Sequence, residues 1–597
     1  FIQADTYYKL NDEKGLSSDT TIFFSHELNG RIVDISSRIF TDEFPDSAQG
    51  PALINVPRNY TLAFQLALIS SINQVAVINF SEFTDAAGIT HKINYTINKL
   101  LPVHVEGNTQ GSLINYPGGK APDSWNSYFI RKAPFDIFEV VNDVPASSIP
   151  VANKTTALLI QIKIPAELLP GVYKSMLTIH GSTNDISIPV LFTVHKTVLK
   201  KEQYLNCTHW LSELPSNLKS GKPVKWWSEE HWKLLEKAGR LLKENGDDIM
   251  YTPLINTKYP LIQTIRDENG KISFDFKKFD RWIKMYKRIG FTFFAGKQLI
   301  TQKDNLYIRL SKSNELISFN DLKDNLSWFA FLEIFLKNLN VHLDEIGIRK
   351  NYIQFLYDEP SDLTTYQQYY KLLKRCMPDV RSVDAINSKP QMFSENVDIE
   401  VFNLPGIILQ QNKVVKQRIK DGQPFWLYNC SSPYPPYPNR NLDLPLTENR
   451  IWPWLSYKFG ATGYLWWAAN LYRGISDEYK SSLGPFPDGT NNPGHPPGGN
   501  WFYYRSENGL LQSLRIMNFR EGMIDVSLLN ILNRSDPNKV KEIISQLIYP
   551  EIEKGHDRRF KDYLTTADVI SKGYSTSPLK YNEMRNKILQ LLDKYPQ

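Results

Sequence analysis

The ten residues NYIQFLYDEP (351–360) read as a β-strand that ends at two adjacent carboxylic acids. Side chains alternate across a strand, which places Asp358 on the same face as Gln354, and we assign that face to the inside of the fold. Pro360 cannot donate to a sheet ladder and disfavours helical dihedrals at the preceding residue. The strand is therefore predicted to stop here, with Glu359 held extended at its tip.

The same acids have a second interpretation, in which they only begin a helix. A helical pattern follows from Leu363 to Cys376, and acidic residues and side-chain caps stabilise helix N-termini. Asp358, Glu359 and Asp362 would then be structural. The motif alone leaves the two interpretations open.

Size and composition define the broad class of the protein. The chain has 597 residues, 42% of them hydrophobic, 22% charged and 13% aromatic, which is typical of a globular protein with two or three domains. The net charge is only +6, and no long Lys/Arg block occurs. Nucleic acid is therefore not an expected partner.

The sequence signals no cofactor and no metal. Cys207, Cys376 and Cys430 cannot form a disulfide framework and have no C-x-x-C spacing. Neither a Walker loop, a G-x-G-x-x-G fingerprint nor an H-E-x-x-H motif is present. The most apolar segment, Trp328 to Leu336, is too short to span a bilayer, so no membrane span is expected.

Three regions follow from the pattern of strands and helices. Residues 1–200 contain short apolar or alternating runs between turns, which favours a β-sandwich. Residues 201–505 alternate strand and helix, which indicates a (β/α)8 TIM-like barrel. Residues 506–597 form a helical segment predicted to pack on the barrel. The eight predicted barrel strands are Leu205–Trp210, Ile249–Ile255, Thr292–Ala295, Tyr352–Asp358, Ser382–Ala385, Ile399–Phe402, Phe425–Asn429 and Gly463–Trp467.

Polar and aromatic residues gather at the carboxyl ends of these strands. Barrel enzymes place their sites on that rim. Carboxylates, amides, a phenol and indoles suit a sugar, whose hydroxyls need hydrogen bonds while its ring lies on an aromatic face. The candidates are Asp358 and Glu359 as catalytic acids, with His209, Asn387, Tyr428, Trp466, Trp467 and Asn470 as substrate-binding residues.

Three downstream blocks make the chain resemble a known family. They are YNCSSPYPPYPN (428–439), RIWPW (450–454) and GYLWWAAN (463–470), and they follow the Asp358-Glu359-Pro360 motif. Together with SLR (513–515) and REG (520–522), they resemble the catalytic region and C-terminal helix of glycoside hydrolase family 123. The resemblance adds Asn439 to the substrate-binding candidates.

The resemblance implies a function and roles for the two acids. Members of this family are β-N-acetylgalactosaminidases that use the 2-acetamido group of the substrate. Glu359 would be the general acid and base, and Asp358 would orient the acetamido group and stabilise an oxazolinium-like intermediate. Terminal β-linked N-acetylgalactosamine of glycosphingolipids or similar glycans would be the substrate. An exported bacterial protein, periplasmic, cell-surface or secreted, is also implied.

Two alternatives stay open at this stage. A β-N-acetylglucosaminidase would use the same chemistry, because the two sugars differ only at O4. A non-catalytic glycan-binding protein would keep the aromatic residues but would not need both acids. The sequence does not determine the oligomeric state.

Overall fold

The structure is a computed structural model of the chain. It describes residues 27–46, 54–109, 127–200, 204–322, 326–386, 393–404, 412–433, 435–485, 493–553 and 572–595. Among these residues, no helix combines the length and the apolar content needed to cross a bilayer.

The N-terminal region consists of two facing sheets. One has the order β1-β3-β10-β7-β8 and is antiparallel, and the other has the order β2-β12-β11-β4-β9. A continuous apolar core, which includes Phe64, Ile160 and Phe192, fills the space between the sheets. The strands are β1 Leu28–Asp34, β2 Ile54–Arg58, β3 Tyr60–Ser70, β4 Gln74–Phe80, β5 Phe83–Asp85, β6 Thr90–His91, β7 Tyr95–Val105, β8 Phe135–Pro145, β9 Ser148–Val151, β10 Thr156–Ile164, β11 Gly171–His180 and β12 Asp185–Val198.

The second region contains eight parallel strands in the order β13-β24-β23-β22-β21-β20-β17-β14. The first and last strands come together where the Asp248 N–H donates to the Cys207 carbonyl at 3.1 Å, so the sheet nearly closes into a barrel. From Asn206 onward the strands are β13 Asn206–His209, β14 Ile249–Thr252, β15 Gln263–Arg266, β16 Ile272–Asp275, β17 Phe293–Gly296, β18 Tyr307–Leu310, β19 Leu316–Ser318, β20 Tyr352–Gln354, β21 Arg381–Ala385, β22 Ile399–Asn403, β23 Phe425–Asn429, β24 Gly463–Trp466, β25 Gly484–Pro485, β26 Pro493–His495, β27 Tyr503–Ser506 and β28 Gly509–Gln512.

Helices cover the outside of the barrel. Apolar stripes at helical spacing explain them: in α3, Phe279, Trp282 and Tyr286 are all buried, and Gly290 ends the helix with a φ of 112°. The described helices are α1 Pro215–Leu218, α2 Glu229–Glu244, α3 Lys277–Ile289, α4 Trp328–Glu345, α5 Leu363–Cys376, α6 Asn412–Lys420, α7 Thr447–Phe459, α8 Leu514–Asn533, α9 Pro537–Leu547 and α10 Pro578–Leu592.

The predicted fold class is confirmed. Each predicted barrel strand has an observed counterpart, and most ends agree within a few residues. The largest difference is in the fourth strand, which ends at Gln354 and not at Asp358. A four-stranded sheet of order β16-β15-β18-β19 is inserted in the loops that follow β14 and β17, on the side where the carboxyl ends of the barrel strands lie.

Helix α8 joins the barrel to the sandwich. Gly522 lets it approach α7 closely, because a Cβ at this position would lie 2.2 Å from the Arg450 carbonyl oxygen. On its other side, Arg515 pairs with the fully buried Glu139 of β8 at 2.7 Å. The C-terminal helices therefore pack on both the barrel and the sandwich, and the SLR and REG blocks are structural joints between them.

Candidate active site

The chain crosses the mouth of the barrel directly after β20. In the barrel interior, Ile353 and Phe355 contact residues of the other strands. Gln354 turns away and donates to the carbonyls of Gly296 and Lys297 at 3.1 and 2.9 Å. The assignment of the Gln354 face to the barrel interior is therefore wrong. Because the regular strand stops at Gln354, alternation does not extend to Asp358.

A buried acid on the neighbouring strand holds this segment in place. Asp384 of β21 has no accessible surface and accepts hydrogen bonds from the backbone N–H groups of Leu356 and Tyr357, at 3.0 and 3.1 Å. It also accepts from the Tyr366 hydroxyl of α5 at 2.8 Å. Burial raises the pKa of Asp384 well above its ordinary value. Asp384 is thus a positioning residue for the loop that carries the two acids.

Glu359 adopts a backbone conformation that the sequence does not predict. Its φ is 47°, in the left-handed region, whereas Pro360 favours an extended residue before it. The Glu359 N–H donates to the Ala385 carbonyl of β21 at 3.0 Å, and this bond holds the turn. The prediction of an extended Glu359 is wrong. Such backbone strain costs about 1–3 kcal/mol and is concentrated at functional sites.

The Glu359 side chain meets a tyrosine from across the barrel mouth. The hydroxyl of Tyr428, at the end of β23, donates to Glu359 Oε1 at 2.7 Å. This leaves Oε2 as the oxygen that can carry a proton to a substrate. The thiol of Cys430 is also close, and burial followed by the Glu359 charge raises its pKa to about 11. The structure therefore places Tyr428 beside Glu359, where its hydroxyl orients that carboxylate; its contact with a substrate stays a prediction.

Asp358 precedes Glu359 in the same loop. Its side chain is exposed to solvent, yet protein groups surround the carboxyl and displace much of its water. This desolvation, with a smaller effect of the Glu359 charge, raises the pKa of Asp358 to about 7. Burial first, and the Asp358 charge second, also raise the pKa of Tyr251, which contributes to the barrel interior. Both acids thus face the mouth of the barrel.

The helix-cap interpretation applies to a different residue. Helix α5 begins after Asp362, whose carboxylate accepts from the N–H groups of Thr364 and Thr365 at 3.1 and 2.9 Å. Neither Asp358 nor Glu359 makes such a bond in the described structure. Their carboxylates are consequently available for chemistry.

Aromatic rings line the mouth next to Asp358. Trp210, which follows β13, stacks on Tyr251 with ring centroids 4.4 Å apart and an angle of 7° between the planes. Its ring also meets Phe355 edge to face at 5.2 Å. Trp210 is half-buried, so part of the indole remains open to a ligand. A flat aromatic surface beside two carboxylates suits the apolar face of a sugar.

A further acid at the rim is neutralised by a lysine. Glu213, in the loop after β13, pairs with Lys297, which follows β17, at 2.7 Å. The Lys297 ammonium also lies 5.4 Å from the centre of the Tyr251 ring. Glu213, Lys297 and Asp384 were not among the predicted site residues. Trp210 ends the first predicted strand, and this position at the rim was the available signal, but Trp210 was not included among the substrate-binding candidates.

Trp466 is placed in the core and not in the site. It has no accessible surface, its Nε1 donates to the Ala468 carbonyl at 2.9 Å, and its ring packs against Phe502. Its neighbour Leu465 faces the barrel interior instead. Trp466 therefore cannot contact a substrate in this arrangement. Trp467 lies at the rim, half-buried, under the guanidinium of Arg473.

His209 belongs to a buried hydrogen-bonded cluster. Its Nδ1 lies 2.7 Å from Asp247 Oδ1, and its Nε2 lies 2.7 Å from Arg440 Nη1. Cys207, His209 and Asp247 offer atoms within 4.8 Å of one another that could ligate a metal ion, but the adjacent Arg440 cation disfavours one. The structure thus gives His209 a structural position outside the site.

The remaining predicted amides also have structural roles. Asn470 accepts from the Ser212 N–H at 2.8 Å and donates to the Asn217 carbonyl at 2.8 Å, which ties two rim loops together. Asn439 is buried and donates to three backbone carbonyls of the loop that follows Asn429, including that of Pro433 at 2.9 Å. Asn387 lies outside the described residues.

A cavity of about 270 Å³ lies elsewhere, between the sandwich, α2 and α8. Lys243, Glu244 and Gly246 line it on the side that precedes β14, which is the amino-terminal face of the barrel. That face serves stability in barrel enzymes, whereas the carboxyl-terminal face carries the chemistry. We therefore place the active site at the two acids and not at this cavity.

The model of the glycoside hydrolase family 123 catalytic domain matches residues 213–532, which is more than half of the chain. The chain belongs to glycoside hydrolase family 123. It is accordingly a glycosidase, and the matched region contains Asp358, Glu359 and Tyr428. No curated protein sequence matches this glycosidase significantly.

A solved structure of a family 123 enzyme has the same fold. A family 123 glycoside hydrolase from Clostridium perfringens, analysed for the details of glycolipid glycan hydrolysis, matches with a TM-score of 0.70 at 14% identity. The match covers 95% of this chain and 99% of that one. A β-glucuronidase from Parabacteroides merdae gives a TM-score of only 0.28 at 8% identity, with 79% and 50% of the two chains covered. An endo-β-1,4-mannanase from Thermotoga petrophila gives 0.29 at 12% identity, with 54% and 77% covered. These low scores carry no weight.

Proposed function

We propose that this glycosidase is an exo-acting, retaining β-N-acetylgalactosaminidase that works by substrate-assisted catalysis. The proposal rests on which acids at the barrel mouth are paired or buried and which are free. Asp358 and Glu359 are adjacent in the chain, Glu213 is paired with Lys297, and Asp384 is buried and occupied by hydrogen bonds. Neither Glu213 nor Asp384 is thus available to attack the sugar from the side opposite Glu359. A nucleophile from the substrate itself accounts for this arrangement.

The proposed reaction has two steps. First, Glu359 donates a proton to the glycosidic oxygen while the acetamido oxygen of the substrate attacks C1, and the bond to the leaving group breaks. The oxazolinium ion that forms carries a positive charge, which the Asp358 carboxylate stabilises. Second, Glu359 takes a proton from water as the water oxygen attacks C1, and the ring opens to give the sugar with retained configuration.

The sugar and its attachment come from the family and its solved member. The Clostridium perfringens enzyme was analysed for glycolipid glycan hydrolysis. We extend this to the present enzyme and propose glycosphingolipid or similar glycans with terminal β-N-acetylgalactosamine as substrates, met by an exported protein. A β-N-acetylglucosaminidase of the same mechanism is the alternative function.

Hydrolysis of three matched aryl glycosides tests the function. We expect the β-N-acetylgalactosaminide to be cleaved at least tenfold faster, in kcat/KM, than the β-N-acetylglucosaminide, because a contact to O4 is worth about 1.4 kcal/mol or more. The β-galactoside, which has no acetamido group, should be inert. A faster gluco substrate would favour the alternative, and ready cleavage of the β-galactoside would remove substrate assistance.

The pH profile tests the role of Asp358. The charged form of Asp358 is needed in the first step, and its pKa is raised to about 7. The acid is protonated below that value, so kcat/KM on an activated aryl glycoside, whose leaving group does not need a proton from Glu359, should rise as the pH increases through about 7. Part of the shift comes from the Glu359 charge, so Glu359→Gln should move this rise to lower pH on an activated aryl glycoside. If the pH at which kcat/KM rises is the same in Glu359→Gln as in the wild type, the rise does not report the titration of Asp358 beside Glu359.

A further inference from the structure

A strained turn places an arginine at the rim of the active site. The segment Tyr472-Arg473-Gly474-Ile475 is closed by a bond from the Ile475 N–H to the Tyr472 carbonyl at 3.0 Å. Both central residues have positive φ, 45° for Arg473 and 85° for Gly474, which is the pattern of a type I′ turn. Asn, Asp and Gly are the residues preferred at the first central position of a type I′ turn, and arginine is not among them. The conformation at Arg473 is therefore unfavourable by itself and indicates a role for its side chain.

The turn holds the guanidinium over an indole. Its central carbon lies 4.9 Å from the centre of the Trp467 ring. Its Nη1 lies 3.3 Å from Nε2 of His495, whose ring is 5.2 Å from Trp467 on the same rim. Burial, and then the Arg473 charge, lower the pKa of His495 to about 4, so His495 is neutral at neutral pH. The arginine thus supplies the positive charge of this cluster.

The charge of Arg473 has no carboxylate partner among the described residues. Burial lowers the pKa of Arg473, and no acid among the described residues counteracts this effect by raising the pKa. The nearest acids in the chain are already paired, Asp477 with Lys480 and Glu478 with Arg505. Arg505 differs from Arg473 in this respect. Its guanidinium also lies over an aromatic ring, that of Tyr472, but it is paired with a carboxylate, Glu478, at 2.6 Å. A half-buried and unpaired cation is costly, and an external anion would compensate it.

The cluster adjoins the two catalytic acids. The Ser431 hydroxyl lies 3.3 Å from Nδ1 of His495. The preceding residue, Cys430, is close enough to Glu359 and Asp358 for their charges to raise the pKa of its thiol. These contacts connect the arginine, through His495 and Ser431, to the loop that borders Glu359, on the side where the terminal sugar or its neighbour would lie.

We propose that Arg473, supported by Trp467, binds an anionic substituent on or next to the terminal sugar, either a sulfate ester or a carboxylate. The planar guanidinium matches both groups with two parallel hydrogen bonds, and the indole on which it stacks holds it in position. This assignment rests on the proposed function, since it names the substrate class of the same site. It goes beyond that function because neutral glycans do not need the charge.

Hydrolysis of neutral and anionic substrates tests the assignment. The neutral probe is an aryl β-N-acetylgalactosaminide, the sulfate probe is its 6-sulfate, and the carboxylate probe is N-acetylgalactosamine β-linked to glucuronate. Its matched neutral disaccharide has glucose in place of glucuronate. We expect one of the anionic probes to exceed its neutral counterpart about ten- to a hundredfold in kcat/KM, since a charged hydrogen bond is this favourable. The probe with the higher ratio identifies the source of the anion.

Variants attribute the preference to the arginine. Arg473→Gln should reduce the ratio of anionic to neutral kcat/KM to about one, and Arg473→Lys should retain part of it. Lys480→Gln removes an exposed cation from the same loop and should leave the ratio unchanged. Raising the salt concentration should lower the wild-type ratio. A wild-type ratio of one or less for both anions, or an equal loss on all substrates in Arg473→Gln, would overturn the assignment.

Binding without turnover separates this assignment from the proposed function. Calorimetry should show that wild-type protein binds N-acetylgalactosamine 6-sulfate more tightly than N-acetylgalactosamine, and that Arg473→Gln binds both alike. If the neutral aryl glycoside is not hydrolysed but the sulfated sugar binds through Arg473, the proposed function fails and the anion site stands. If hydrolysis proceeds, but neither the sulfated sugar in calorimetry nor the glucuronate disaccharide in turnover shows a preference that depends on Arg473, the anion site fails and the function stands.

Discussion

Glu359→Gln should reduce hydrolysis of a natural glycan by about 10²–10⁴-fold, the usual contribution of a positioned general acid. An amide cannot transfer the proton that an alkoxide leaving group requires. With a dinitrophenyl glycoside, whose leaving group needs little protonation, the loss in the first step should be much smaller. The two rates, measured on the same variant, separate proton transfer from substrate binding.

The structure supplies a control for this variant. The Tyr428 hydroxyl donates to Glu359 Oε1, and the amide oxygen of glutamine can accept the same bond, so the local packing should be kept. The melting temperature of Glu359→Gln is therefore expected to stay close to that of the wild type. Equal losses on the natural glycan and on the dinitrophenyl glycoside would remove the general-acid assignment.

Asp358→Asn should lower kcat and kcat/KM by about 10²–10³-fold, because the lost charge acts on the oxazolinium-like transition state more than on the bound substrate. A series of substrates with increasingly fluorinated acetamido groups tests the assignment. The wild-type rate should fall steeply with each fluorine, since fluorine weakens the attacking oxygen. A flat series would show that the acetamido group does not participate.

Asp362→Asn is the matched control for Asp358→Asn. It also converts an acid of the same loop to an amide, and asparagine can still cap α5 as Asp362 does. Its activity should remain within a factor of two of the wild type.

Thermal stability gives a second readout for Asp358→Asn. The pKa of Asp358 is raised in the folded protein, so ionisation of this acid above its ordinary pKa opposes folding. Asp358→Asn should therefore melt at a higher temperature than the wild type at pH 8 but not at pH 3. A variant that is inactive because it is unfolded would show the opposite.

The strand and helix pattern was sufficient to predict the barrel and to place the two acids at the carboxyl side of the fourth strand, although that strand ends at Gln354. The same pattern was not sufficient to predict which aromatic rings lie at the barrel mouth. Trp466 and Trp467 are adjacent in the chain, and the first is buried while the second lies at the rim. Barrel strands are apolar on both faces, so their sequence does not show which face points inward. For that reason Trp466 was predicted as a substrate-binding residue, and Trp210, which stacks on Tyr251 at the mouth, was not included among the substrate-binding candidates.

His209, Asn439 and Asn470 were predicted as substrate-binding residues, and all three are occupied by hydrogen bonds within the protein. A rim position in sequence therefore does not make a residue available to a ligand. Buried polar side chains must be hydrogen-bonded, and their partners are known only once the loops are placed.

The sequence by itself determined the order of the strands, the two adjacent acids and the family, because these depend on local periodicity and on short blocks of residues. The tertiary structure decided the conformation of the acids. Asp384 and Ala385 belong to the next strand, and their bonds hold the loop and turn Glu359 into the left-handed region. It also decided which charges are paired, since ion pairs such as Glu213 with Lys297 join residues 84 positions apart. Local sequence cannot encode such contacts, and they are the ones that set the chemistry of the site.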